Sequence, residues 1–212
     1  MAIVAVMTVL ATLSAISLAE YFWSASYSIT LAMVTQLSSV IFLLLQLFMT
    51  VARLPAQGTA KGIEPRVTSV AGTFLILVAM MLIPPVQSWW VQLSALCTIL
   101  LGTSCSIFCI SWLGRSFSLM ATARRLVTSG PYSVVRHPLY ICEAVFVLGI
   151  IISHFSWLMV ALGFIQCIFQ YRRATNEEAI LRETFPEYDE YARRVPMLVP
   201  RFFRSPEAST QQ

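Results

Sequence analysis

Four long apolar runs, separated by short polar or aromatic breaks, fill the first half of the chain at residues 2–22, 29–52, 67–87 and 89–113. None contains a lysine or arginine. A helix needs about 20 residues to cross a hydrocarbon core of about 30 Å, and each run meets that length. Leu, Ile, Val and Phe stand in unbroken stretches and do not alternate with polar residues, so the pattern predicts helices and not the strands of a barrel. Pro84 and Pro85 close the third run, and Trp89 and Trp90 open the fourth where indole rings favour the membrane interface. The connection between these two runs is very short, which predicts that their helices are antiparallel neighbours.

A fifth apolar region covers 139–171. As one helix it would be about 50 Å long and would overshoot the hydrocarbon core. Polar and aromatic residues gather at its centre, SHFSW, so a helical hairpin of two short arms is predicted. The polar segment after it reads as helix from the spacing of Ala174, Ile180 and Leu181, with Pro186 as its stop.

Charge placement supports that division. With the hairpin counted as two crossings there are about six spans, and all fourteen Lys and Arg residues fall on one side. Arg53, Lys61 and Arg66 occupy one loop, Arg115, Arg124, Arg125 and Arg136 another, and the rest the C-terminal tail. The opposite loops, near Glu20, Pro85 and His154, have none. By the positive-inside rule, both termini and the polar segments are expected in the cytoplasm. The predicted fold is an all-α polytopic membrane helical bundle, its last two spans a helical hairpin, followed by a cytoplasmic C-terminal helical tail. Residues 1–112 form the N-terminal membrane helices, 113–204 the region with the chemistry, and 205–212 a disordered tail.

Composition narrows the class. At 58% hydrophobic and 11% charged, the chain is too apolar for an ordinary soluble domain, whose charged fraction is about 25%. The net charge of +4 reads as a membrane-surface feature that attracts anionic lipid, and no arginine-rich groove or RNA-binding motif points to nucleic acid. Five cysteines, at 97, 105, 109, 142 and 167, lie in or beside the apolar runs without CxxC or metal-ligand spacing. They read as small buried hydrophobes, and no metal site is expected. The N-terminus lacks the basic start of a signal peptide, so the first span is expected to be retained.

Between Leu113 and Tyr140 the sequence turns polar and is broken by Gly and Pro. Gly130-Pro131 marks a turn, and Pro138 pushes His137 towards extended backbone before the next helix. Irregular backbone at membrane depth is tolerated only where protein or a water-filled cavity surrounds it. Taken singly, Arg136 and His137 suit a helix-end anchor, and Tyr132 and Tyr140 an aromatic belt. Glu143, one turn past Tyr140 on an apolar arm, is either a functional group or a snorkelling one. Arg173 and Glu177, four residues apart, share a helix face and suit either a site or a surface ion pair. The hairpin returns the chain to its starting surface, so the two polar clusters can meet.

Together these pieces form a pattern. GPYSVVRHPLY, followed by RATNEEAILRETFPEYDEYARRVPMLVP, resembles the isoprenylcysteine carboxyl methyltransferase family, with its RHPxY element, apolar hairpin, RxxxEE, F-x-x-Y-x-x-Y and trailing proline. The resemblance covers about 113–202, and Cys142 stands where that family often has glycine. It implies an integral-membrane enzyme using S-adenosylmethionine on a lipophilic or lipidated acceptor that enters from the bilayer. It further implies that Tyr132, Arg136, His137 and Tyr140 line the cofactor site with Glu177 near it. Arg173 and Glu177 would flank the place where acceptor and methyl group meet, as the catalytic pair.

Carboxyl O-methylation is the family's typical reaction, and phospholipid amine N-methylation is the alternative. A carboxylate acceptor is already ionised and needs orienting, which arginine's fork suits. An amine needs a base, for which Glu177, Glu178 and His137 are candidates. Two rival readings are a sterol-type membrane reductase using a nicotinamide cofactor and a small transporter or lipid-binding protein. Transporters place polar residues at mid-bilayer, often in repeated halves, and this chain gathers them at one interface. Acceptor identity and oligomeric state stay open at the level of sequence.

Overall fold

The apolar runs fold as α1 (Ala2–Ser24), α2 (Leu31–Val51), α3 (Glu64–Leu82) and α4 (Trp89–Leu113). The hairpin arms are α5 (Pro138–Ser153) and α6 (Trp157–Thr184), and α7 (Tyr188–Arg194) follows Pro186. The computed structural model describes residues 2–24, 31–52, 55–60, 62–116 and 122–200. Expectations for Arg53, Lys61, Arg201, Arg204 and the tail 205–212 lie outside them.

Local chemistry sets the helix ends. α3 stops at Leu82, short of the predicted end, because Ile83 precedes Pro84 and adopts extended backbone. α5 opens on Pro138, whose missing N–H falls where a helix has no partner for one. α6 is capped by Ser156 Oγ, which accepts from Met159 N at 3.2 Å. The hairpin arms are unequal, at 16 and 28 residues. α6 does not stop where the apolar sequence stops but carries the polar cluster 172–184 on the same rigid rod.

Among the described residues, Glu64–Leu82 and Trp89–Ser116 are long and apolar enough to cross a membrane, and Pro138–Ser153 is a shorter apolar helix. Packing pairs α4 antiparallel with α5 and α3 with α6. α3 and α4 are therefore not the packing neighbours that their short connection suggested. The two prolines hold residues 83–88 out of helix, and α4 is drawn onto α5 by small residues. A Cβ on Gly102 would lie 2.5 Å from Phe146 N, and one on Gly149 would lie 2.9 Å from Ile99 N. Lipid gives helices no hydrophobic drive to associate, so such close backbone approach carries much of the attraction. At the end remote from the polar loops, Gln92 Nε2 donates to Ser153 O at 3.0 Å and Ser153 Oγ returns a bond to Gln92 Oε1.

One element had no sequence signal. β1 (Gly58–Thr59) pairs antiparallel with β2 (Thr122–Ala123), joining the α2–α3 and α4–α5 loops. Gln57 reinforces the join, its Nε2 donating to Arg124 O at 2.9 Å.

Candidate functional site

The loop before α5 begins at Gly130, which has φ +62° and lies against the Trp112 ring. A side chain would be strained there by the backbone and blocked by the indole. The 3-10 turn Gly130–Ser133 that follows carries Tyr132, which is buried. Further on, the amides of Arg136 and His137 donate to the carbonyls of Pro196 and Met197 at 2.9 and 3.1 Å. Tyr191 Oη donates to Tyr132 O at 2.6 Å. The irregular backbone is thus satisfied by the segment around and after α7, as a buried loop requires.

Glu178 is the hub of the polar cluster. Its Oε1 receives Arg136 Nε at 2.8 Å, Arg136 Nη2 at 2.7 Å and His137 Nε2 at 3.2 Å. Its Oε2 receives Arg182 Nη2 at 3.0 Å. Burial alone would raise this carboxyl, but the hydrogen bonds from His137 and Arg136 and their charge outweigh it and hold the group down at about 2. Arg136 Nη1 also donates to the carbonyls of Ala192 and Val195. Its guanidinium is therefore engaged in pinning α7 and the following strap to α6.

One residue earlier on α6, Glu177 Oε2 accepts from Tyr140 Oη at 2.8 Å. The two polar stretches of the sequence therefore meet directly. Arg173 is only 2% exposed, far from the surface ion pair that was one reading of it. Its guanidinium lies 4.9 Å from the centroid of the Tyr140 ring, within cation–π range. Its Nη1 donates to Thr73 Oγ1 at 3.2 Å and stands 3.7 Å from Glu143 Oε2.

These side chains border one cavity that is open to the surface. Tyr132, Arg136, His137, Tyr140, Arg173 and Glu177 all line it, so every site residue expected from the sequence faces one space. Leu126, Leu139 and Leu181 supply apolar wall. Tyr188 and Tyr191, the tyrosines of the F-x-x-Y-x-x-Y element, also line it without having been assigned to the site, as do Ser116 and Arg124. The i, i+3 spacing of the two tyrosines put them on one helix face and was the available signal. Nothing in the sequence marked Arg124 or Ser116.

The hydroxyls of Tyr132 and Tyr188 are buried at this cavity and find no hydrogen-bond partner among the described residues. Burial, reinforced by neighbouring carboxylates such as Glu177, raises both phenols, and Tyr191 is pushed up to about 12. All three thus stay neutral hydrogen-bond donors. Cys109 Sγ lies 3.8 Å from Cys142 Sγ, both as free thiols. The glycine that this helix crossing needs is Gly102 on α4, whose Cβ would sit 3.0 Å from Cys142 O, so a cysteine at 142 is accommodated.

The segment holding this geometry has known relatives. Residues 90–188 match the phospholipid methyltransferase family model. The match runs from α4 to the start of α7 and includes all six expected residues. Over 119 residues the chain is 34% identical to the nickel-cobalt-cadmium resistance protein NccN of Alcaligenes xylosoxydans xylosoxydans, covering 55% of each chain. It is 42% identical over 77 residues to the cobalt-zinc-cadmium resistance protein CzcN of Cupriavidus metallidurans, covering 36% of each. It is 33% identical over 122 residues to protein-S-isoprenylcysteine O-methyltransferase B of Arabidopsis thaliana, covering 54% of this chain and 61% of that one. The chain thus spans from 36% to 61% of the length of these relatives.

Proposed function

We propose that the chain is an integral-membrane methyltransferase that moves a methyl group from S-adenosylmethionine to a lipophilic acceptor, with a carboxylate as the favoured acceptor group. The observation that carries this reading is the single cavity where the loop before α5 and the polar end of α6 converge, with a buried arginine in its wall. Exposed apolar side chains such as Leu101 and Phe108 on α4 and Phe164 and Ile168 on α6 suit contact with lipid chains. About six spans, with both termini and the cavity on the cytoplasmic side, agree with the one-sided placement of Lys and Arg.

The cavity fits the cofactor class. Two buried hydroxyls without partners, on Tyr132 and Tyr188, suit the many acceptor atoms of a nucleoside and an amino acid. The Glu177 carboxylate suits an ammonium, and the exposed Arg125 at the edge suits a carboxylate. When bound, S-adenosylmethionine supplies a methyl group made electrophilic by its sulfonium. The protein's own task is to orient and to exclude water. Arg173 presents a bidentate fork to the acceptor carboxylate, with Tyr140 stacked on its face. Arg136 and His137, at the cavity wall, hold Glu178 and thereby the loop against α6.

A second reading, N-methylation of a phospholipid amine, draws on the description of the matching family and on Glu177, a cavity-lining carboxylate able to take a proton.

Thermal unfolding of the detergent-solubilised chain tests the assignment. S-adenosylhomocysteine should raise the midpoint and NADPH should not. Stabilisation by NADPH alone would replace the reading with a reductase. Radiolabelled methyl transfer to a prenylcysteine analogue and to total phospholipid then separates the two acceptor classes. Tyr132→Phe and Tyr188→Phe remove hydroxyls that find no hydrogen-bond partner among the described residues, so each should change stability by less than about 1 kcal/mol. Each should nevertheless weaken S-adenosylhomocysteine binding by about fivefold to tenfold, read by calorimetric titration.

A further inference from the structure

Glu143 is an ionisable group that this reading leaves unused. It lies on apolar α5 and is buried. Gln46 Nε2 from α2 donates to its Oε1 at 3.3 Å, and Gln170 Nε2 from α6 donates to its Oε2 at 3.2 Å. Arg173 Nη1 stands 3.7 Å from the same Oε2 and donates to Thr73 Oγ1 on α3. A second, smaller cavity is lined by Gln46, Thr73, Glu143 and Gln170 together with apolar side chains such as Phe42 and Phe146. Arg173 touches residues of this inner chamber and also lines the larger cavity, so it forms part of the partition between them.

A buried guanidinium is held only where an opposite charge and hydrogen bonds compensate it. Here the compensation comes from three directions. The Tyr140 ring takes one face, Thr73 takes Nη1, and Glu143 supplies the negative charge. Glu143 in turn cannot swing away, because amides from two different helices grip both of its oxygens. Gln46 and Thr73 precede the segment 90–188 that matches the methyltransferase family. The constraint on Arg173 therefore reaches into helices outside that segment.

We infer that Glu143, clamped by Gln46 and Gln170, is a positioning residue for Arg173, through which α2 and α3 set the aim of the cavity's buried cation towards the acceptor. This rests on the methyl-transfer reading, and the test separates the two. The first measurement needs neither cofactor nor activity. Thermal midpoints of the full chain in detergent are compared for Glu143→Gln, Arg173→Met and the double variant. Each single change lowers the midpoint, and the double variant recovers at least half of the larger loss; additive losses overturn the pairing.

The second measurement is kinetic. Glu143→Gln lowers kcat for the methylated acceptor by roughly tenfold to a hundredfold, while S-adenosylhomocysteine affinity stays within about twofold. In an Arg173→Lys background the same change costs less than about twofold. Gln46→Leu, which introduces no uncompensated charge, lowers kcat in the same direction by about threefold or more. Wild-type kcat in Glu143→Gln, or an equal loss in both backgrounds, overturns the role. Charge coupling in the first measurement with no transfer to any acceptor in the second overturns the reaction assigned, and with it the aim towards acceptor.

Discussion

Glu178→Ala lowers the stability of the folded chain by about 3–5 kcal/mol, because one substitution leaves the desolvated Arg136 guanidinium without its counter-charge and the buried His137 ring nitrogen without its partner. Arg136 and His137 both close on Oε1 and both are largely withdrawn from solvent. Arg182 is 45% exposed, so its loss adds little. Denaturant unfolding of the detergent-solubilised protein measures the difference. The same carboxylate gives a pH signature. Its folded value of about 2 lies below its ordinary 4.5, so the unfolded chain binds the proton more readily than the folded one. The contribution is complete above about pH 4.5 and is lost as pH falls from there towards about 2. It amounts to something on the order of 3 kcal/mol, and the Glu178→Ala protein lacks that part of the acid decline.

Gly102→Ala is the second large effect, and two opposing terms decide its sign. Alanine in a helix is favoured over glycine by about 1 kcal/mol. Against this, the added methyl would meet backbone atoms, Phe146 N at 2.5 Å and Phe146 Cα at 2.8 Å, which cannot rotate aside as a side chain can. Overpacking of this kind costs about 1–3 kcal/mol, and more where the backbone itself must move. The clash wins, and α5 is pushed off α4. Because α5 also carries Tyr140 and Glu143, the loss extends to the cavity: the thermal midpoint falls, and S-adenosylhomocysteine no longer raises it.

The site was more legible in the sequence than the packing. RHPLY and RATNEE carry polar side chains that an apolar context makes conspicuous, and the unbroken hairpin between them implies that they return to one surface. Tyr140 on Glu177 is that implication in atoms. Arg136 was visible as a residue but not as a clasp, since its partners include main-chain carbonyls at 192 and 195 that no side-chain pattern records. Gln46 and Thr73 carried no signal at all, because a single amide or hydroxyl in a long apolar helix reads the same whether it faces lipid or a buried carboxylate. The pairing of α3 with α6 was hidden for a related reason. Loop length speaks to which helices are connected, whereas small residues such as Gly72 and Gly102 settle which ones touch, and their partners lie far along the chain.

The two carbonyls at 196 and 197 that hold the Arg136 and His137 amides have a consequence for the order of assembly. Synthesis delivers α1 to α6 first, and each can settle as it emerges, but the rim of the pocket stays open until residues 196 and 197 have emerged and folded back. A nascent chain halted after α6 would own every helix of the hairpin and still leave two main-chain amides unanswered. Completion of this pocket is thus a late clasp, fastened after the bundle beneath it is already in place.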